Sequence, residues 1–296
     1  MYRLLECQID HVNVSAVSTL QSCPSNEANV FDSVFEKCVS SSIGGAISIN
    51  DGTIKFRVIR NTFYFCQATS EGAIWSTSLS LLADSNCFAY CTVTSNNDHA
   101  AEFHPKEGGN ETMSTFTLCP PTNSNHAFIT SIYEKDIVFK SCNLSNNFPD
   151  TSVNPAFEIQ GSQDLSFCTF ESNTGNRMLS ILKSFVSINH LNFVGNAGTS
   201  ELFYYEIVTK IAKCVISENK YPNLFSGTSD GFGECYFCAN QFSPPSGYLE
   251  ECNPTHALKF LATWLCHGNG RSSRFSSLHD SSNILPSLFC LHLIGM

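Results

Sequence analysis

The sequence predicts an all-β solenoid, a parallel β-helix of about nine coils with a short non-repeating C-terminal tail. The first observation behind this is a returning motif. An apolar anchor carries a small residue two places before it and Asn or Cys three places after it. Clean copies are Cys168-Thr169-Phe170-Glu171-Ser172-Asn173, Leu191-Asn192-Phe193-Val194-Gly195-Asn196, Cys214-Val215-Ile216-Ser217-Glu218-Asn219 and Cys235-Tyr236-Phe237-Cys238-Ala239-Asn240. The anchors read Ile9, Phe35, Phe63, Phe88, Phe116, Leu144, Phe170, Phe193, Ile216 and Phe237, separated by 26, 28, 25, 28, 28, 26, 23, 23 and 21 residues. A self-similar period of this size marks a solenoid. The second observation is that each period holds three short segments alternating with period 2. That is the strand period, with apolar side chains directed to one side.

The anchor strand comes first in the argument. Phe63, Phe88, Phe116, Leu144, Phe170, Phe193 and Ile216 share one register and are expected to form a buried structural ladder. Stacked coils lie about 4.8 Å apart, and burying one such side chain contributes about 1.5–3 kcal/mol. The place two before the anchor is Cys, Ser or Asn at every anchor except Phe193, where it is Leu191. It reads as a tight interior corner in which Cys behaves as a small hydrophobe. The Asn three after the anchor (Asn147, Asn173, Asn196, Asn219, Asn240) reads as a turn residue in the left-handed region.

A second strand series contains Gly44-Gly45-Ala46-Ile47 and Glu71-Gly72-Ala73-Ile74. Ala100-Ala101-Glu102-Phe103, Ala127-Phe128-Ile129, Ala156-Phe157-Glu158-Ile159 and Met178-Leu179-Ser180-Ile181 take the corresponding places. A third series is an apolar pair two residues apart: Ile54 and Phe56, Leu79 and Leu81, Ile137 and Phe139, Leu165 and Phe167, Val186 and Ile188.

The repeat assigns residues 1–243 to the solenoid and 244–296 to a capping segment and tail. Pro244-Pro245 cannot continue a central strand. Thr255–Leu265 fits a short amphipathic helix suited to covering an open solenoid end, and the Ser-rich stretch 272–282 suits disorder. Two stretches read as loops bulging from the coils, 104–111 and 120–126.

Composition bounds the function. Of 296 residues 42% are hydrophobic and only 14% charged, and the net charge is −10. That balance argues against nucleic acid or an anionic membrane surface as partner. No apolar run reaches the length of a spanning helix, so no membrane span is expected. Met1-Tyr2-Arg3 runs into the first coil without a signal-peptide pattern, so the chain reads as a piece of a longer surface protein rather than an intracellular one. The fifteen cysteines are expected to be mostly free thiols stacked in the repeat. Sequons stand at Asn13, Asn110 and Asn143, the last expected to face solvent.

Candidate chemistry is sparse. Cys235 and Cys238, with Cys252, Cys266 and His267, have zinc-like spacing, but Cys235 already has a repeat role, so no metal and no cofactor is expected. Glu158, Asp164 and Glu171 are the carboxylates from which a glycosidase pair could be assembled. They otherwise read as solvated surface charge, and no catalytic residue is assigned. The loop residues His104, Lys106, Glu107, Asn110 and His126 are the candidate binding residues, since loops on a rigid scaffold supply adaptable contacts.

Gly44-Gly45-Ala46-Ile47, together with Phe170-x-x-Asn173 and Phe193-x-x-Asn196, resembles the GGA[ILV] and FxxN repeats of the polymorphic outer-membrane proteins. It also resembles the related Cys-rich surface-protein families of parasitic protozoa. The resemblance covers residues 7–240 and implies a right-handed coil, a pectin lyase-like fold, a cell-surface or secreted location and an adhesive, non-enzymatic role toward a host or matrix protein or glycan. The alternative class is a carbohydrate-active β-helix enzyme of lyase or hydrolase type.

Overall fold

Three parallel sheets wind about one axis in the computed structural model, as a right-handed β-helix. The structure describes residues 8–10, 13–14, 18–19, 26–94, 98–119, 127–133, 137–148, 156–160, 163–182, 186–206, 210–227 and 231–250. Two of these sheets have ten strands and one has nine, and a small fourth sheet pairs Gln67–Ala68 with Thr92–Val93. Each coil passes through a first sheet (for example Lys55–Ile59), then the anchor sheet (Thr62–Tyr64), then a third sheet (Ile74–Ser78). Among the described residues every paired strand is a neighbour in the next coil, so the sheets run along the axis.

The interior is filled by ladders. Phe63, Phe88, Phe116, Leu144, Phe170, Phe193 and Ile216 are fully buried and stand opposite one another coil by coil. Phe88 and Phe116 stack with centroids 4.5 Å apart and planes 2° from parallel. The ladder does not begin at Ile9. Val14 faces Phe35, whereas Ile9 faces Val30 in the first sheet. Both residues have apolar alternation around them, and only stacking on the next coil separates them.

From Val34–Glu36 onward each anchor strand is closed at both ends by the same two-residue corner, a left-handed residue followed by one that is buried or, at Asn240, half-buried. Before the strand stand pairs such as Arg60-Asn61 and Phe167-Cys168; after it, Tyr90-Cys91 and Ser172-Asn173. The left-handed residue lies one place before the Asn, which corrects the sequence reading. The asparagines point inward. Asn147, Asn173, Asn196 and Asn219 have no exposed surface. They are there because sheet pairing stops at a corner and leaves backbone groups that need partners. Asn196 donates from Nδ2 to the Phe170 carbonyl at 2.8 Å, and its Oδ1 accepts the Asn173 N–H at 3.0 Å.

Cysteine fills the same role in the earlier coils. The Cys91 thiol donates to the Phe63 carbonyl, and the Cys119 sulfur accepts the Cys91 N–H at 3.2 Å. At the junction Cys119 N–H donates to Asn147 Oδ1 at 2.8 Å. The opposite corner runs the other way, with Asn61 and Asn86 early and Cys142, Cys168, Cys214 and Cys235 late. Eight described cysteines are free and buried. Cys87 and Cys238 are disulfide-bonded. Six coils separate these two, so their partners lie outside the described residues.

The glycines of the second series mark close approach. A Cβ at Gly45 would lie 2.1 Å from the Gly72 carbonyl oxygen of the next coil, and one at Gly72 would lie 2.6 Å from the Thr92 oxygen.

Three further readings change. Residues 104–111 are not a bulge. Asp98–Pro105 and Gly109–Thr112 are strands in register with the coil before, joined by a short turn whose Lys106 and Glu107 N–H groups donate to Ser78 and Leu79. Pro, Gly and charge suggested a loop, but pairing to the neighbouring coil imposes strand. Ala101 faces Thr130, so Ile129-Thr130 rather than Ala127-Phe128 occupies the repeat place. Phe167 is a left-handed corner residue, 38% exposed, and Leu165 alone of that pair is buried.

At the C-terminal end Phe242 is buried and Tyr248 lies against Phe232 and Phe237. Glu250 bridges to Phe237, so 242–250 covers part of the last coil. The expected helix at 255–265, the Ser-rich stretch 272–282 and the loop 120–126 lie outside the described residues.

Candidate functional site

With the interior occupied by ladders, contact chemistry is carried by the outer faces. The outer face of the third sheet holds the most varied set. Strand alternation directs Ile74 and Ser76 inward and Trp75 outward; likewise Phe103 points inward, with Glu102 and His104 outward. Along the axis the outward row reads Ser48, Trp75 and Glu102 and, two coils on, Glu158, Ser180 and Tyr204, with Ser48, Glu102 and Ser180 buried within it.

A hydrogen bond of 2.7 Å joins His104 Nε2 to Glu102 Oε1. The two residues are neighbours on one face of one strand, which holds the imidazole beside the carboxylate. At the far end of the row, the Arg177 guanidinium lies 4.1 Å from the Tyr204 ring centroid and pairs with buried Glu201.

The sequence candidates fall around this face unequally. Lys106 folds back along the stack, since a Cβ at Gly52 would meet its Nζ at 2.1 Å. The intervening coil passes from the third sheet to the first through Leu79 alone, which leaves room for that reach. Thr53 donates to the Asp51 carboxylate and holds it below the usual range, with Lys106 adding a smaller share. Glu107 is exposed in the turn, and Asn110 is exposed on the outer side of the first sheet, a different face from His104. His126 lies outside the described residues. Asn143 is only partly exposed and its Oδ1 is buried, contrary to the expectation that it faces solvent.

Glu158, Asp164 and Glu171 lie on the third, first and anchor sheets respectively, so these three carboxylates do not converge. Burial pushes the Glu171 carboxyl up. Cys235 stacks inward beneath Cys214 while Cys238 is in a disulfide, so they do not form a ligand pair. Among the described residues no group of three His, Cys, Asp or Glu side chains is placed to hold a metal ion. No described helix is long and apolar enough to cross a membrane.

Sequence reasoning missed Glu111. It lies five places before anchor Phe116, where Val58, Ala83, Phe139, Leu165 and Ile188 stand before theirs, and that offset was a readable signal. Its side chain is fully buried, and burial pushes its carboxyl up to about 8, against a smaller opposing pull from Ser114.

Neither a scan of protein-family models nor searches of curated proteins and of solved structures found a match to this chain. The class defined by fold and surface is a parallel β-helix with a polar and aromatic outer face.

Proposed function

We propose that this chain is a non-enzymatic interaction module, a rigid β-helix that serves adhesion through an outer face at a cell surface or in a secreted setting. One observation carries the reading most: ladders fill the interior, while Trp75, the Glu102–His104 pair and Tyr204 lie on one outer face. Aromatic rings beside hydrogen-bonding groups suit contact with protein or glycan. The GGAI and FxxN resemblance supports a surface role. The disulfides at Cys87 and Cys238 support an oxidising compartment.

The test is attachment to cells or matrix-coated surfaces by the parent and by Trp75→Ala with His104→Ala. Both side chains point away from the core, so circular dichroism should be unchanged. Several-fold weaker attachment is expected, and parental attachment by the double variant removes this face from the reading. A second reading, a carbohydrate-active enzyme, is favoured by the spacing of Glu102 and Glu158. Their backbones lie two coils apart, about 10 Å, just beyond the range of carboxyl separations, about 6.5–9.5 Å, that admits a hydrolytic water. New reducing ends from a polysaccharide panel, lost in Glu102→Gln, would support it.

A further inference from the structure

Two of the three sequons, at Asn110 and Asn143, have described side chains, and the fold places them differently. Asn110 lies in strand Gly109–Thr112, where alternation turns Glu111 into the core and Asn110 and Thr112 outward. Asn110 is exposed and follows closely on the exposed turn residues Lys106 and Glu107. Its neighbours on the outer face are Leu82 in the coil before and Val138 in the coil after. Both are aliphatic and half-buried, so part of each meets water.

Asn143 lies in the anchor strand Asn143–Ser145, in register between Thr115 and Thr169. Both threonines are buried, at 5% and 7% exposure, and so is Ser145, the third residue of that sequon. The Asn143 Oδ1 is buried as well. That row leaves no room for a sugar ring.

We propose that Asn110 is the acceptor for an N-linked glycan when the chain passes through a secretory pathway, and that the folded chain carries none at Asn143. The proposal rests on the secreted reading above. In the transfer the Asn110 amide nitrogen bonds to the anomeric carbon of a lipid-pyrophosphate-linked oligosaccharide. The bond from that carbon to the pyrophosphate oxygen breaks, the lipid pyrophosphate leaves with the electron pair, and the nitrogen gives up one proton. Both sequons are open to this in the unfolded chain, and the fold then decides which product is tolerated. An attached glycan is bulky and belongs on a surface. At Asn110 it projects outward, and its first sugar ring lies over Leu82 and Val138, taking apolar surface out of water. At Asn143 it would have to part the packing that buries Thr115, Thr169 and Ser145, and such a chain does not reach the folded pool.

The test is the full chain secreted by a eukaryotic host behind a cleavable leader. The folded product is treated with peptide-N-glycosidase in heavy-oxygen water, which converts each occupied Asn to labelled Asp, and its peptides are mapped. A label at Asn110 and none at Asn143 is the expected result, with Asn110→Gln losing the mass of one glycan and keeping the parent's circular dichroism. An unlabelled Asn110, or a label at Asn143 in the folded product, overturns the proposal. Either result leaves the adhesion reading standing, because that reading rests on the third sheet and is tested by attachment.

Discussion

Asn173 Oδ1 accepts two hydrogen bonds from Asn147 one coil earlier, from the backbone N–H at 3.1 Å and from Nδ2 at 2.8 Å. Asn173 Nδ2 in turn donates to the Leu144 carbonyl at 2.7 Å and to Asn196 Oδ1 at 3.1 Å. A single amide therefore serves three coils, and both of its ends are saturated.

Replacing that amide should be expensive. Asn173→Ala leaves the Asn147 N–H and the Leu144 carbonyl unpaired, at a cost of about 1–3 kcal/mol for each buried group. Asn173→Cys should cost less, because Cys91 and Cys119 already perform this donor and acceptor role in the same corner. Denaturant titration of both variants checks this, and equal loss from Ala and Cys would contradict the corner account.

Phe170 and Phe167 differ by three residues and by their side of the sheet. Phe170→Ala opens a cavity in the ladder and should cost about 3–5 kcal/mol. Phe167 stacks outside on His190, with ring centroids 4.8 Å apart. Phe167→Ala should therefore stay within about 0.5 kcal/mol, the usual range for surface changes. Matched unfolding midpoints for the two variants would exclude this assignment of faces.

Glu111 makes stability depend on pH. Its carboxyl is raised from 4.5 to about 8 in the fold. The unfolded chain therefore releases this proton at lower pH than the folded one. The contribution is fully present below the unfolded value and is lost as pH rises through the folded value, which makes the protein less stable at pH 8 than at pH 5. The titratable group of the next coil that faces it is the Cys142 thiol, which burial pushes well up. Glu111→Gln should flatten the stability profile between about pH 4.5 and 8; an unchanged slope would show that another group is responsible.

The thiols should differ in reactivity. Burial pushes Cys66, Cys91, Cys142 and Cys214 well up, whereas the hydrogen bond from the Cys214 thiol pulls Cys235 down. Cys235 is also slightly exposed, at 7%. The thiolate is the reactive form, so timed alkylation with peptide mapping should mark Cys235 ahead of the other four. Simultaneous labelling would point instead to global unfolding as the route.

The amino-acid sequence alone determined the solenoid, its winding into three short strands and the shared place of the Phe and Cys residues. Period and alternation are local properties, and anchors such as Phe63 and Phe88 repeat them without ambiguity. Stacking decided the rest. Val14 rather than Ile9 meets Phe35, Thr130 rather than Phe128 meets Phe157, and 104–111 is drawn into two strands. In each case two registers satisfy the local pattern, and the choice falls to hydrogen bonds from the neighbouring coil. The same holds for Glu111 and for the Glu102–His104 pair: residue type is written in the chain, but which side of the wall each faces is set by the coils above and below.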